Sequence, residues 1–175
     1  MKELPPIGFF EAIKLASSRI LDFSGRSRRS EFWWWILIIL VANWVLTSLV
    51  SNLMISTLMS IIIMFFGLAA TARRLHDAGK SAWWVYISYA IGIVYNFLAS
   101  TSPALVELMD KAKSGALSSS TMEKLMTENA SEFTTYGFLG ILMAIFALIV
   151  AIMCAMDSKQ APNKYGESPK YVLEQ

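Results

Sequence analysis

From Phe32 to Ala72 the chain runs forty-one residues without a charged side chain, bounded by Glu31 and Arg73. At the ~1.5 Å rise of a helix this run would be about 60 Å long, roughly twice the hydrocarbon thickness of a bilayer, so it should cross twice. A chain with such a run is an integral membrane protein. Composition agrees, with 55% hydrophobic and only 16% charged residues, where soluble domains carry about 25% charged.

The hydropathy pattern divides the chain into a cytoplasmic segment 1–31, a membrane domain 32–156 and a polar tail 157–175. Spans are expected at about 32–50, 53–70, 82–99 and 133–156, the first two hinged where Thr47, Ser48, Ser51 and Asn52 cluster. Thr71 to Ser81 reads as a short polar connection, with Gly79 as the C-terminal cap of the second span. Residues 100–132 form an outer excursion: Ser102-Pro103 starts a helix, Gly115 stops it, and Ser120 to Glu123 reads as a capping box. Ahead of the spans, Phe9, Ile13, Ala16 and Ile20 recur at helical spacing between 7 and 21, while Glu11 and Lys14 lie off that stripe. Such a helix lies along the membrane surface or against the spans. Ser30-Glu31 reads as the cap that opens the first span. The expected fold is therefore all-α, a polytopic four-transmembrane-helix bundle with an N-terminal amphipathic interfacial helix.

Lysine and arginine set the orientation. With four spans, twelve of them fall on one side and only Lys111, Lys113 and Lys124 on the other, whereas a single crossing by the long run divides them nine to six. The rich side is cytoplasmic by the positive-inside bias, which puts both termini inside. Trp33, Trp34, Trp35, Trp83 and Trp84 then fall at the cytoplasmic interface, where indoles prefer to lie. No short apolar core with a small-residue cleavage site precedes the first span, so a removed signal peptide is not expected. A net charge of +2 does not call for nucleic acid, and one cysteine, Cys154, leaves no internal disulfide or thiolate metal cluster to form.

Three polar clusters abut span ends on the cytoplasmic side: Phe23 to Trp33, Ala72 to Trp84, and Asp157 to Gly166. Asp77 follows Arg73 by four residues and Arg74 by three, so on a helix an acid at a negative helix end could be neutralised locally. The surplus of Arg26, Arg28, Arg29, Arg73, Arg74 and Lys80 over Glu31 and Asp77 suits anionic lipid headgroups or an acidic partner. Planar guanidiniums can also grip phosphate in a fork. An enzymatic reading, a lipid-modifying enzyme with His76 as base and Asp77 to orient it, meets two obstacles. Sequence neighbours on a helix point about 100° apart, and a single histidine leaves no metal site of the His-Asp kind. A channel would need several copies, since no charge lies inside any expected span. Homo-oligomers stay open, and no cofactor or metal is called for.

The clusters carry a family resemblance. Phe23-Ser24-Gly25-Arg26 through Arg29 to Trp33, then Arg73-Arg74-Leu75-His76-Asp77 with Gly79 and Trp83-Trp84, and Asp157-Ser158 with Asn163, Tyr165, Gly166 and Pro169 resemble the marks of the small bacterial inner-membrane proteins catalogued as domain of unknown function 805. Lys80 stands where arginine is usual, Ala82 where glycine is usual, and the excursion 100–132 is longer than in many members. The resemblance implies a bacterial inner-membrane location and the helical fold. It implies no activity.

Overall fold

The computed structural model describes residues 1–172, and the last three residues of the expected tail, 173–175, lie outside them. Among the described residues there are seven helices: α1 (Phe9–Ser18), α2 (Arg29–Ser48), α3 (Leu53–Asp77), α4 (Trp83–Thr101), α5 (Pro103–Lys113), α6 (Ser119–Glu128) and α7 (Ala130–Ala155). Two short strands, β1 (Lys2–Glu3) and β2 (Tyr171–Val172), pair antiparallel with Glu3 opposite Tyr171. By length and composition α2, α3 and α7 can each cross a membrane, and α4 with α5, bent by 80° between them, makes a fourth candidate.

The helices pack as a row: α2 against α3, α3 against α4, and α4 against α7, which also touches α3 near its end. On α2 the residues at helical spacing Phe32, Trp35 and Ile39 are buried against α3. Trp35 therefore belongs to the core and not to the aromatic belt expected for it, and its indole N–H donates to the Phe66 carbonyl at 2.9 Å. Trp33 and Trp34, one helical face away, stay exposed. Where α2, α3 and α4 meet, position 67 is glycine because a Cβ there would stand 3.2 Å from the Tyr89 hydroxyl and 3.3 Å from both Ile36 and Ile39.

Several boundaries move from those expected. The second span does not stop at Ala70: α3 continues through Asp77, so the supposed connection is its last two turns, buried throughout. A charged helix end can continue in this way when protein, not lipid or water, surrounds it and supplies partners. Gly79 does close it, with φ +72° and the Lys80 amide donating to the Leu75 carbonyl at 2.8 Å. Arg28 stands at the N-cap of α2 in place of Ser30, whose hydroxyl instead accepts from the Ile7 amide at 3.1 Å. The cap of α6 is Ser118, two residues before the expected box. Ser102 caps α5 through the Leu105 amide and also donates to Glu132 at the start of α7. Lys113 reaches the Val50 and Ser51 carbonyls just past the end of α2.

Candidate functional site: a buried ionic cluster at the end of α3

All three polar segments converge on the last two turns of α3. Ser27 docks first, its amide donating to the Arg73 carbonyl at 3.2 Å. Its hydroxyl donates to Glu31 at 2.8 Å and accepts from Arg73 Nε at 3.0 Å. From the other side the tail leaves α7 and crosses the same helix end, with the Lys159 amide on the Asp77 carbonyl at 3.0 Å and the Asn163 amide group on the His76 carbonyl at 3.0 Å.

Asp77, which is fully buried, is the centre of the cluster. Its Oδ1 accepts from Arg26 Nε at 2.9 Å, and its Oδ2 accepts from both Arg74 and the Ser158 hydroxyl. A carboxylate shared between two guanidiniums and a hydroxyl has its desolvation offset by charge-assisted bonds. The expected local neutralisation thus takes place through Arg74, while Arg73 turns away to Glu31, 3.6 Å off.

Three arginines against two acids leave buried positive charge over, and helix ends absorb it. Arg74 Nε donates to the Cys154 carbonyl at 2.8 Å and its Nη2 to that of Met156, closing the C-terminus of α7. Arg73 Nη1 donates to the Arg19 carbonyl at 2.7 Å and to that of Asp22, closing α1. Arg26 donates to the Asp77 carbonyl at the end of α3 and to the tail carbonyls of Lys159, Ala161 and Gly166. Each guanidinium therefore faces the negative end of a helix, which favours the cation and satisfies carbonyls that a helix leaves without partners.

The remaining candidate residues divide by partner. Arg28, nearly buried, donates to the Leu4 and Pro5 carbonyls, both at 2.7 Å, and so holds the N-terminal segment. Arg29 lies on the surface, 3.0 Å from Asp157. Asp157 also binds Lys170 at 2.9 Å, and that hydrogen bond is the main cause holding its carboxyl below the usual range. Lys170 in turn reaches Glu3 at 3.2 Å, joining the tail to β1. Asp22 is lowered to about 2, chiefly by the hydroxyl and amide of Ser24. Gly166, at φ +119°, and Asn163 exchange backbone hydrogen bonds, and the Asn163 side chain accepts from the Tyr165 amide at 2.8 Å. This turn presents Tyr165 to His76, the rings stacked with centroids 3.7 Å apart and planes within 7°. His76 Nδ1 lies 3.2 Å from the Gly25 carbonyl.

His76 and Asp77 thus have separate surroundings: the imidazole lies between Tyr165 and Gly25, while the carboxylate faces Arg26, Arg74 and Ser158. The two side chains therefore do not act as a base and its orienting carboxylate. Among the described residues, no group of three or more His, Cys, Asp or Glu could hold a metal ion. Sequence reasoning included Ser27 and Ser158 in its clusters without giving them a role, and it missed Lys170. The carbonyls at the ends of α1 and α7 carry no side-chain signal by which it could have found them.

Residues 20–167 match the family described as protein of unknown function (DUF805), a stretch that includes all three converging segments. A 96-residue alignment is 34% identical to the inner membrane protein YhaH of Escherichia coli strain K12, covering 46% of this chain and 79% of that protein. The same figures hold for inner membrane protein YhaH of Escherichia coli O157:H7. No solved structure matches the chain. With the match running over residues 20–167, well over half of the chain, the chain belongs to the family of proteins of unknown function DUF805.

Proposed function

We propose that this chain is a non-enzymatic, multi-pass protein of the bacterial inner membrane, with both termini cytoplasmic. Of four spans, α2, α3, α4 and α7, its ionic cluster ties α2, α3 and α7 together as a scaffold and holds a basic cytoplasmic face against anionic lipid in support of envelope integrity. The observation that carries the reading is the occupancy of Arg26, Arg73, Arg74 and Asp77. Each is buried and bound to other parts of the chain, so the motif's polar groups serve assembly. Location rests on the apolar helices and on the inner-membrane relatives. Orientation rests on the division of lysine and arginine, twelve against three.

The interfacial role of α1 is supported by its exposed Phe9 and Phe10, with Phe9 packed edge-to-face on Trp34 at 5.3 Å, while Ala12 and Ala16 are buried. Its aromatic side continues the exposed indoles at the start of α2, at the depth where amphipathic rings settle.

Native mass spectrometry of the protein extracted with its lipids tests this function. Enrichment of anionic phospholipid over the bulk membrane is the expected result. Retention of lipid in bulk proportion would end the lipid reading and leave the scaffold alone.

A further inference from the structure

Five of the six basic residues grouped on the cytoplasmic face by sequence are engaged: Arg26, Arg73 and Arg74 in the cluster, Arg28 on backbone carbonyls, and Arg29 on Asp157. Lys80 is not. Two lysines of the tail share its condition. Among the described residues, no carboxylate lies within ion-pair distance of Lys80, Lys159 or Lys164, while the tail's third lysine, Lys170, has two.

The three lie around one helix end. Lys80 directly follows the Gly79 turn that closes α3. The alkyl chain of Lys159 runs across that turn, its Cε 3.2 Å from where a Cβ on Gly79 would stand. Lys164 sits with its Nζ 5.0 Å from the centroid of the Tyr165 ring, which is stacked on His76 of the same helix. Beside them α4 begins with the exposed indoles of Trp83 and Trp84. Tryptophans at the start of an apolar helix mark the headgroup level of a bilayer. In a bilayer set by these indoles, the ammonium groups beside them would meet lipid phosphates.

We propose that Lys80, Lys159 and Lys164 form the surface that receives anionic phospholipid headgroups of the surrounding bilayer, and that the motif arginines take no part in it. This rests on the lipid reading above and changes which residues carry it. Ammonium groups on flexible stems act as point charges, so the surface selects charge and tolerates headgroup shape.

The test uses the full chain in nanodiscs of phosphatidylglycerol and phosphatidylethanolamine in equal amounts. Lipid retained on release is counted by native mass spectrometry, and the thermal midpoint is measured alongside. Lys→Gln at positions 80, 159 and 164 together should lower retained phosphatidylglycerol by about fivefold per lysine, with the midpoint unchanged. Lys→Arg at the same three positions should preserve retention, and so should Arg29→Gln. If the triple Gln variant retains phosphatidylglycerol as the wild type does, while Arg29→Gln loses it, the lysine surface is overturned and the lipid reading stands. If the wild type shows no preference for phosphatidylglycerol, both are overturned.

Discussion

Arg26 meets Asp77 across fifty-one residues of chain, Nε to Oδ1 at 2.9 Å, with both side chains shut away from solvent. The contact fastens the segment before α2 to the end of α3, and the same carboxylate binds Arg74 from within its own helix.

Removing one partner of a buried pair strands the other charge, which costs about 3–5 kcal/mol. Asp77→Ala should therefore lower the stability in detergent by that order, since two guanidiniums lose their acceptor at once. Arg26→Ala with Asp77→Ala should cost less than the sum of the single losses. Additive losses in thermal or denaturant unfolding would show that the two residues are not coupled. Arg26→Lys should also be costly, because one ammonium cannot reach Asp77 and the carbonyls of Ala161 and Gly166 together.

Gly67 offers a test of helix packing apart from charge. With Ile36, Ile39 and Tyr89 all within 3.3 Å of a missing Cβ, Gly67→Leu must push α2 or α4 off α3 and should cost about 1–3 kcal/mol or more. Gly137→Leu, at a glycine with open space around it, should be nearly neutral in the same unfolding assay. Equal losses at the two sites would remove the triple contact from the account.

The tail clasp should respond to acid. Asp157 has its folded carboxyl lowered, first by Lys170, so its contribution is present above the ordinary carboxylate value and is lost as pH falls through the folded value. Lys170 is shifted the other way, up, so its contribution holds below the ordinary lysine value and is lost only as pH rises through the raised one. Between those limits the clasp is flat in pH. The Leu4 amide, which donates to the Lys170 carbonyl at 2.9 Å, should lose hydrogen-exchange protection only in strong acid or strong alkali, and Asp157→Asn should lower its protection at neutral pH. Protection that changes between pH 6 and 8, about where histidine titrates, would assign the response to another group.

Topology can be read with reporter fusions. Reporters after Asn52 and Gly115 should report the outside, and those after Gly79 and Gln175 the cytoplasm, as the positive-inside bias requires. A cytoplasmic signal at Gly115 would leave the α4–α5 bend, 80° at Ser102, as a re-entrant turn and not a completed crossing.

Much of the helical layout was legible in the sequence because hydropathy is local: the long uncharged run gave α2 and α3, and Ser102-Pro103 and Gly115 framed α5. What was not legible depends on contacts distant in the chain. Three bases within four residues have three fates, with Arg26 in the cluster, Arg28 on the N-terminal segment and Arg29 at the surface. Only the fold distinguishes them. The helical extension from Thr71 to Asp77 looked like a connection because its charges read as solvent-exposed, whereas partners as far off as Cys154 make them internal. Within the run Ser118 to Thr121 several hydroxyls could cap α6, and the residue that does so shows only in the backbone. Strands of two residues, β1 and β2, lie below any periodicity signal.

The partners of Arg74 at Cys154 and Met156, and of Arg26 at Lys159, Ala161 and Gly166, are all made late in synthesis. Until the ribosome has released residue 166, Arg26 and Arg74 have Asp77 to share and lack the carbonyls that complete their shells. Closure of the cluster thus records that α7 has been delivered to its place, because only then do Arg26 and Arg74 gain the carbonyls of residues 154 to 166. The last helix to emerge completes a contact that the first hundred residues have already half built.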